Sequence, residues 1–470
     1  MLSISPVNKG GIKILINKGK STIKFGEKLA YGCGDFASNL VYVSISSFLA
    51  FFYTDVAGIS ALTVGTIFLI SRIFDGISDL AIGILMEKVH FKNGKARPWI
   101  LWMAVPYGIG AVLLFSVPNL GHMGKIIYAF VTYNLVTTVI FTAINIPYGV
   151  LNSLITQNQY DRALLNTYRM VSAYIAAILV AAVTLPMVST FGGGARGWTL
   201  TFAIFGILAV LLFLVTYRFT KERVLQPASE TKGAPKFKTT KALKSLLRNK
   251  YWLIIVLFSV VLYAVYALMG IYTYYAKYIL GSEALSGPMF TIRNIVELGG
   301  VMLTIPIVKR LGKRNVSLGA SLLLVLGQII MIFAPSNYTV ILIGLSVCGL
   351  GVGAIFGVVF AMVADTIEYE EWRSGIRAEG LVYSAATVGQ KMGSAISGAA
   401  IGWLLAFSGY QESAAVVVQS ESAVGQISFI FLWLPLILGI IMVVLMLCYK
   451  LDQEYPAIIE VLEKRHSDVQ

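Results

Sequence analysis

Apolar runs of about 20 residues recur along this chain, and each is long enough to cross a hydrocarbon core of roughly 30 Å as a helix. Strands are a poor alternative. A barrel strand alternates polar and apolar residues over about 10 positions, whereas the run from Trp252 to Leu268 is apolar all round. An all-α membrane protein is therefore expected. Composition agrees: the 470 residues are 57% hydrophobic and 13% charged, with a mean hydropathy of +0.78, outside the range of a soluble globular chain. The net charge of +14 would point to nucleic acid in a soluble protein. Here the basic residues stand at the ends of apolar runs, so no nucleic-acid partner is expected and the charge reports orientation instead.

Twelve spans are expected, at 29–53, 61–86, 98–117, 126–149, 168–188, 198–218, 251–276, 287–307, 315–335, 338–364, 379–406 and 426–449. Lys88, Lys92, Lys95 and Arg97 follow the second span, and Lys309, Arg310, Lys313 and Arg314 follow the eighth. The alternate loops carry few cations, so the positive-inside rule makes both termini cytoplasmic, which requires an even number of spans. The hydrophilic stretch from Tyr217 to Lys250 divides the spans six and six. The expected organisation is a cytoplasmic segment (1–28), a six-helix half (29–218), a cytoplasmic linker (219–250), a second half (251–449) and a cytoplasmic tail (450–470). A short basic loop after the second span of each half, Gly94-Lys95 and Gly312-Lys313, reads as an internal repeat. Two six-helix halves about a central site are the major facilitator architecture.

The second span carries the strongest chemical signal. Arg72, Asp75, Ser78 and Asp79 share one face of an otherwise apolar helix, and the acids and the serine present up to five oxygens to one point, enough for a monovalent cation or a shared proton. A buried charge costs roughly 3 kcal/mol on insertion scales. Arg72, Asp75, Asp79, Arg293, Glu297 and Lys391 must therefore face a polar cavity or pair with one another. Lys391 is the strong cation of the eleventh span, whose polar face also holds Tyr383, Thr387 and Ser394, and a carboxylate of the second span is its expected partner. Arg293 and Glu297, four apart, read as a structural pair. Tyr31, Asp35, Asn39 and Tyr42 form a polar and aromatic stripe on the first span, and Thr142, Asn145 and Gly149 line one face of the fourth. Such mixtures suit sugars, with hydroxyls bonded to Asp, Asn and Arg and a CH face laid on an aromatic ring. Arg169, at the start of the fifth span, either reaches that cavity or anchors at the interface.

Other engines find little support. Gly19-Lys20-Ser21 mimics the end of a P-loop, but Ile14 stands where its first glycine is required. His90, His122 and His466 all fall outside the expected membrane core, so proton coupling would fall to carboxylates. Cys33, Cys348 and Cys448 lie within apolar runs and read as small core residues, not as a disulfide framework or a transition-metal site. Gly349, Gly353 and Gly357, with Ala385, Gly389, Gly393 and Ser397, read as faces for close helix packing. No nucleophile, metal cluster or large soluble domain is visible, so the chain is not expected to be an enzyme, and no cofactor beyond a coupling ion, proton or sodium, is called for.

Six motifs together resemble the glycoside-pentoside-hexuronide:cation symporter family of the major facilitator superfamily: Tyr31-Gly32-Cys33-Gly34-Asp35, Phe52-Tyr53-Thr54-Asp55-Val56, Arg72 through Asp79, Gly94-Lys95-Ala96-Arg97-Pro98-Trp99, Asn145-Ile146-Pro147-Tyr148 and Ala364-Asp365-Thr366-Ile367-Glu368-Tyr369. The resemblance runs from about Glu27 to Tyr449. It implies symport of a sugar with a cation by alternating access across the cell membrane, plasma or bacterial inner, by a protein expected to act as a monomer. It also implies a cation site at Asp75, Ser78, Asp79 and Thr142, with Ser78 where the family has an amide; the shorter serine weakens the case for sodium and leaves proton coupling through Asp75 or Asp79. The sugar positions implied are Asn39, Asn145, Arg169, Phe356, Thr387 and Lys391. The two amides replace acids found in galactoside-carrying members, and Ser38 and Gly149 replace a lysine and a tryptophan, so galactoside specificity is not expected. A pocket that has lost acids while keeping Arg169 and Lys391 would accommodate a uronide; Asp35 could instead restore an acceptor for a neutral glycoside. A lipid carrier of the same superfamily is the alternative in transport, and a non-transporting membrane sensor the alternative from another class.

Overall fold

The computed structural model describes residues 23–89, 91, 94–224, 245–375, 379–412 and 418–467. Gly19-Lys20-Ser21, His90, most of the amino-terminal and linker segments, and the side chains of Tyr383, Ala385, Thr387 and His466 lie outside the described residues. Among the described residues the chain is helical and no strand forms.

The amino-terminal part contains α1 (Phe25–Ser44, continued by wider π-turns at Ile45–Leu49 and Phe52–Val56), α2 (Ala61–Lys88), α3 (Arg97–Leu114), α4 (His122–Tyr133) and α5 (Phe141–Ile155), the last two joined by a π-helical segment (Asn134–Ile140). It ends with α6 (Gln159–Thr190) and α7 (Gly194–Phe219). The carboxy-terminal part contains α8 (Lys250–Ala267), α9 (Tyr272–Tyr278), α10 (Ser286–Leu311), α11 (Lys313–Phe333), α12 (Tyr338–Phe356), α13 (Val359–Ser374), α14 (Glu379–Phe407), α15 (Glu421–Ser428), α16 (Leu434–Cys448) and α17 (Leu451–Ser467). Among the described residues, eight helical stretches are long and apolar enough to cross a membrane. The other four expected spans coincide with α1, α2, α10 and α14, the helices that carry Asp35, Asp75, Asp79, Arg293, Glu297 and Lys391 within their length.

Local chemistry accounts for the helix ends. Ser60 accepts from the backbone N–H of Thr63 to start α2, and Asn249 accepts from Trp252 to start α8. The two basic loops are built alike. Gly94 (φ +123°) and Gly312 (φ +80°) occupy backbone that favours glycine, and each precedes a helix start held by a distant acid. Glu222 accepts from the N–H groups of Lys95, Ala96 and Arg97 at the head of α3, and Asp452 accepts from the N–H of Arg314 at the head of α11. The acids follow α7 and α16 respectively, so the repeat seen as Gly-Lys in the sequence extends to the fold.

The two parts meet along two seams, α2 against α14 and α6 against α10. Glycines allow close approach: a Cβ on Gly349 would stand 2.8 Å from the Arg293 carbonyl, and one on Gly353 would collide with the Glu297 backbone. Gly389 and Gly393 do the same for α14 on α8, against Val256 and Val260.

Three expectations are corrected, and the tail shows structure of its own. The fifth span begins at Gln159, which sets Arg169 well inside α6 instead of at its start. The tenth span breaks at Gly357 and Val358 and resumes as α13 to Ser374. The tail forms α17, whose Leu451, Ile458 and Leu462 are buried in the same cluster as Val363 and Ile367 of α13. Of the cysteines, Cys348 is buried, but Cys33 is half-buried and Cys448 exposed, so the last is not a core residue.

Candidate functional site

A cavity of about 480 Å³ lies between the two parts, lined from α1, α2, α5, α6, α8 and α14. Its size is ordinary for a small-molecule site. The span formed by α4 and α5 runs alongside α2 with equal spacing, so two carboxylate–threonine rungs form one turn apart. Thr138 Oγ1 donates to Asp75 Oδ1 at 2.6 Å, and Thr142 Oγ1 donates to Asp79 Oδ1 at 3.3 Å. Each acid also holds a cation. Arg72 Nη1 lies 3.0 Å from Asp75 Oδ2, and the Lys391 ammonium of α14 pairs with Asp79, joining the two parts of the chain. The two sites differ in wetness: the Asp75 side chain is 8% exposed, Asp79 38% and Lys391 32%. Asp79 is thus the more water-accessible of the two acids.

Ser78 does not join this oxygen cluster. Its hydroxyl donates to the Thr138 carbonyl at 2.5 Å, committed to the neighbouring helix. Thr138 was missed in the sequence; its signal was the spacing of four from Thr142, mirroring that of Asp75 and Asp79.

On the opposite wall, Arg169 reaches the cavity, where its Nε lies 3.1 Å from Asp35 Oδ1. Its guanidinium also stands 5.1 Å from the centre of the Tyr148 ring. Tyr148 in turn stacks on Tyr31 at 4.8 Å, and its hydroxyl donates to the Tyr31 carbonyl at 2.6 Å, which fixes this wall between α1 and α5. Asn39 lines the cavity while its amide donates to the Asp35 carbonyl at 2.8 Å, and Tyr42, stacked on Phe141 at 5.3 Å, supplies an aromatic face. Asn145 also lines the cavity. Phe356 does not: the wall there is Tyr263, and Phe356 stands edge-on behind it with ring centres 5.6 Å apart. A ring from α8 therefore takes the place expected for one from α12.

Asp35, Asp75 and Asp79 face Arg72, Arg169 and Lys391, three charges of each sign around one cavity. The surplus of positive charge that would favour an acidic sugar is absent, because Arg169 and Lys391 both already hold carboxylates.

Beyond the cavity toward the end of α1, Asp55 forms a second centre; the sequence placed it within a motif but gave it no role. Only 1% exposed, its carboxylate accepts from Lys277 Nζ, Tyr278 OH and Tyr410 OH at 2.6 Å each and from Thr54 Oγ1 at 2.8 Å. Thr54 and Tyr274 hydroxyls meet at 2.8 Å, and Glu412 accepts from the first N–H of α2 at 2.9 Å. These contacts tie α1 and α2 to α9 and the segment after α14. Lys277 and Asp55 each end a span, where charges are commonplace, so neither stood out.

The expected Arg293–Glu297 pair is present but loose, with Nε and Oε2 3.9 Å apart. Arg293 bonds instead to the Tyr272 hydroxyl.

Residues 30–453 match the family described as MFS/sugar transport protein. The chain is 34% identical over 455 residues to the isoprimeverose transporter of Lactiplantibacillus pentosus, covering 95% of this chain and 93% of that one. It is 32% identical over 432 residues to a putative glycoside/cation symporter of Escherichia coli (strain K12), covering 90% and 92%. Among solved structures, a D-xylose-proton symporter superposes with a TM-score of 0.62 at 14% identity, covering 90% of this chain and 96% of that one, a likeness of fold.

Proposed function

Since the chain belongs to the MFS/sugar transport protein family, we propose that it is a multi-pass transporter of the cell membrane that moves a glycoside together with a cation by alternating access, and not an enzyme. Twelve spans in two six-helix halves, joined by a cytoplasmic linker and with both termini cytoplasmic, are the organisation proposed. The two-fold recurrence of the acid-capped basic loop supports it. A monomer suffices, because one chain supplies both cavity walls.

The observation that carries the reading is Asp79. This acid is wet, lies in a membrane-embedded cavity, and is held at once by Thr142 of one half and Lys391 of the other. An ion that binds Asp79 competes with Lys391, so its arrival changes a contact between the halves. The cation site proposed is Asp79 with Asp75, Thr138 and Thr142. The sugar site is Asn39, Tyr42, Asn145, Tyr263 and the Asp35–Arg169 pair, with Lys391 sensing both. A cavity whose built-in charges cancel suits a neutral glycoside, and a lipid tail would meet charges from α1, α2, α6 and α14. The cavity lies on the α1 amino-terminal side of the Asp55 cluster, which supports an inward-facing state latched on the outer face.

Uptake of a panel of labelled neutral glycosides, glucuronides and lysolipids into vesicles with imposed proton or sodium gradients tests this. Ion-driven accumulation of a neutral glycoside, collapsed by the matching ionophore, is the expected result. Flux of lipid alone, or no flux of any substrate, would overturn it.

A further inference from the structure

Glu297 lies on α10 at the seam where α10 meets α6, and it is 1% exposed. One carboxyl oxygen, Oε1, accepts a 3.3 Å hydrogen bond from the Tyr174 hydroxyl of α6, and the other, Oε2, has no hydrogen-bond partner among the described residues. Its neighbour Arg293, 3% exposed, stays 3.9 Å away and leaves its own Nε and one terminal nitrogen unsatisfied. The other titratable groups facing this spot are Tyr263 and Tyr266 of α8, Tyr272 of α9 and Cys348 of α12.

An ionised carboxylate removed from water is held by close cations and several donors. Asp55 has four donors, and Asp75 has Arg72 and Thr138 at 3.0 Å or less. Glu297 has one long hydrogen bond and a cation beyond hydrogen-bond reach. Burial favours its neutral form and Arg293 favours its charged form, so the two effects oppose at this position. A proton here has a further consequence. Tyr174 donates a charge-assisted bond to the carboxylate across the seam, and neutralising the acceptor weakens that bond. Ala173, beside Tyr174, and Tyr263 line the central cavity, so groups next to Glu297 and its hydrogen-bond partner border that cavity.

Resting on the symport reading above, we propose that Glu297 is a second proton-binding site of the carrier, filled from the central cavity past Tyr174, and that its proton loosens the α6–α10 seam. The proton adds to a carboxyl oxygen of Glu297 from cavity water and returns to water on the opposite side of the cycle; no other bond is made or broken. The site is separate from the Asp75 and Asp79 cluster, so the carrier binds a proton without displacing Lys391.

The test needs no sugar. Infrared difference spectra of the purified full chain in lipid nanodiscs are recorded as pH is stepped from about 5 to about 9, the range that brackets a carboxyl balanced between opposing effects. One component of the carbonyl stretch of protonated carboxylic acids that grows as pH falls should vanish in Glu297→Gln and persist in Asp79→Asn, which loses instead the component of its own carboxyl. Tyr174→Phe removes a bond to the charged form and should raise the midpoint by about one pH unit. A spectrum that loses no component in Glu297→Gln, or a Glu297 component whose midpoint is unmoved by Tyr174→Phe, would overturn the proposal. A titration as expected in a chain that moves no sugar would support the proton site and count against the symport reading alone.

Discussion

Replacing Asp55 with asparagine should unlatch the outer face. The substitution keeps the shape but removes the charge that Lys277, Tyr278 and Tyr410 all address at 2.6 Å. Hydrogen bonds to a charged group contribute about 1.5–3 kcal/mol each, and breaking one side of a buried pair costs about 3–5 kcal/mol because the other charge is stranded. Lys277 is such a charge, with its side chain 19% exposed. When the outer face opens, the same groups meet water, so the loss falls on the closed state alone. A loss of about 3 kcal/mol shifts the closed–open balance about 100-fold. The assay is a cysteine placed at Ser46, in the small chamber between the central cavity and the latch, after replacing Cys33, Cys348 and Cys448. An impermeant thiol reagent added to intact cells should label it about 100-fold faster in Asp55→Asn than in its parent. Removing the stranded charge as well, in Asp55→Asn with Lys277→Met, should recover much of the protection. An acceleration under about fivefold, the yield of an exposed ion pair, would refute the reasoning.

Two further outcomes follow from the central helices. Asp79→Asn should lower uphill accumulation at least tenfold while sugar counterflow survives, since only the coupling acid is lost; accumulation and counterflow in the same vesicles check this. Gly353→Ala should lower the melting temperature of the purified chain, because its methyl meets the Glu297 backbone and must push α12 off α10, an overpacking of about 1–3 kcal/mol.

Much of the site was legible because charges are rare and expensive in apolar helices. Arg72, Asp75, Asp79 and Lys391 marked the cavity from sequence, and the pairing of Lys391 with an acid of α2 followed from the need to neutralise both. The pairing of Arg169 with Asp35 did not follow, since Arg169 also had a plausible place at the membrane interface and Asp35 read as an acceptor for sugar hydroxyls. The substitution of Tyr263 for Phe356 was hidden for another reason. In a chain this rich in aromatics, helical spacing says which face a ring is on but not which of two stacked layers it occupies. The Asp55 hub is the clearest case of a limit: Lys277 and Tyr410 reach it across 222 and 355 residues, and no local pattern encodes a contact between the two parts of the chain.

The committed hydrogen bonds also discriminate between coupling ions. Sodium needs several oxygens converging at once, and the oxygens available on α2 are already engaged. Asp75 holds Arg72 and Thr138, Asp79 holds Thr142 and Lys391, and the Ser78 hydroxyl is turned to the Thr138 carbonyl. Assembling a sodium shell would require moving Lys391 off Asp79, withdrawing Arg72 from Asp75 and rotating Ser78, leaving two buried or half-buried cations without partners. A proton needs one oxygen of Asp79 and displaces one amine, which the cavity water then solvates. Proton coupling is therefore the expected mode. In vesicles at symmetrical pH a sodium gradient should drive no accumulation, an inward proton gradient should drive it without sodium, and a protonophore should abolish it. Sodium-driven accumulation at fixed pH would mean that the α2 cluster rearranges on binding far more than one displaced lysine, and this account of coupling would fail.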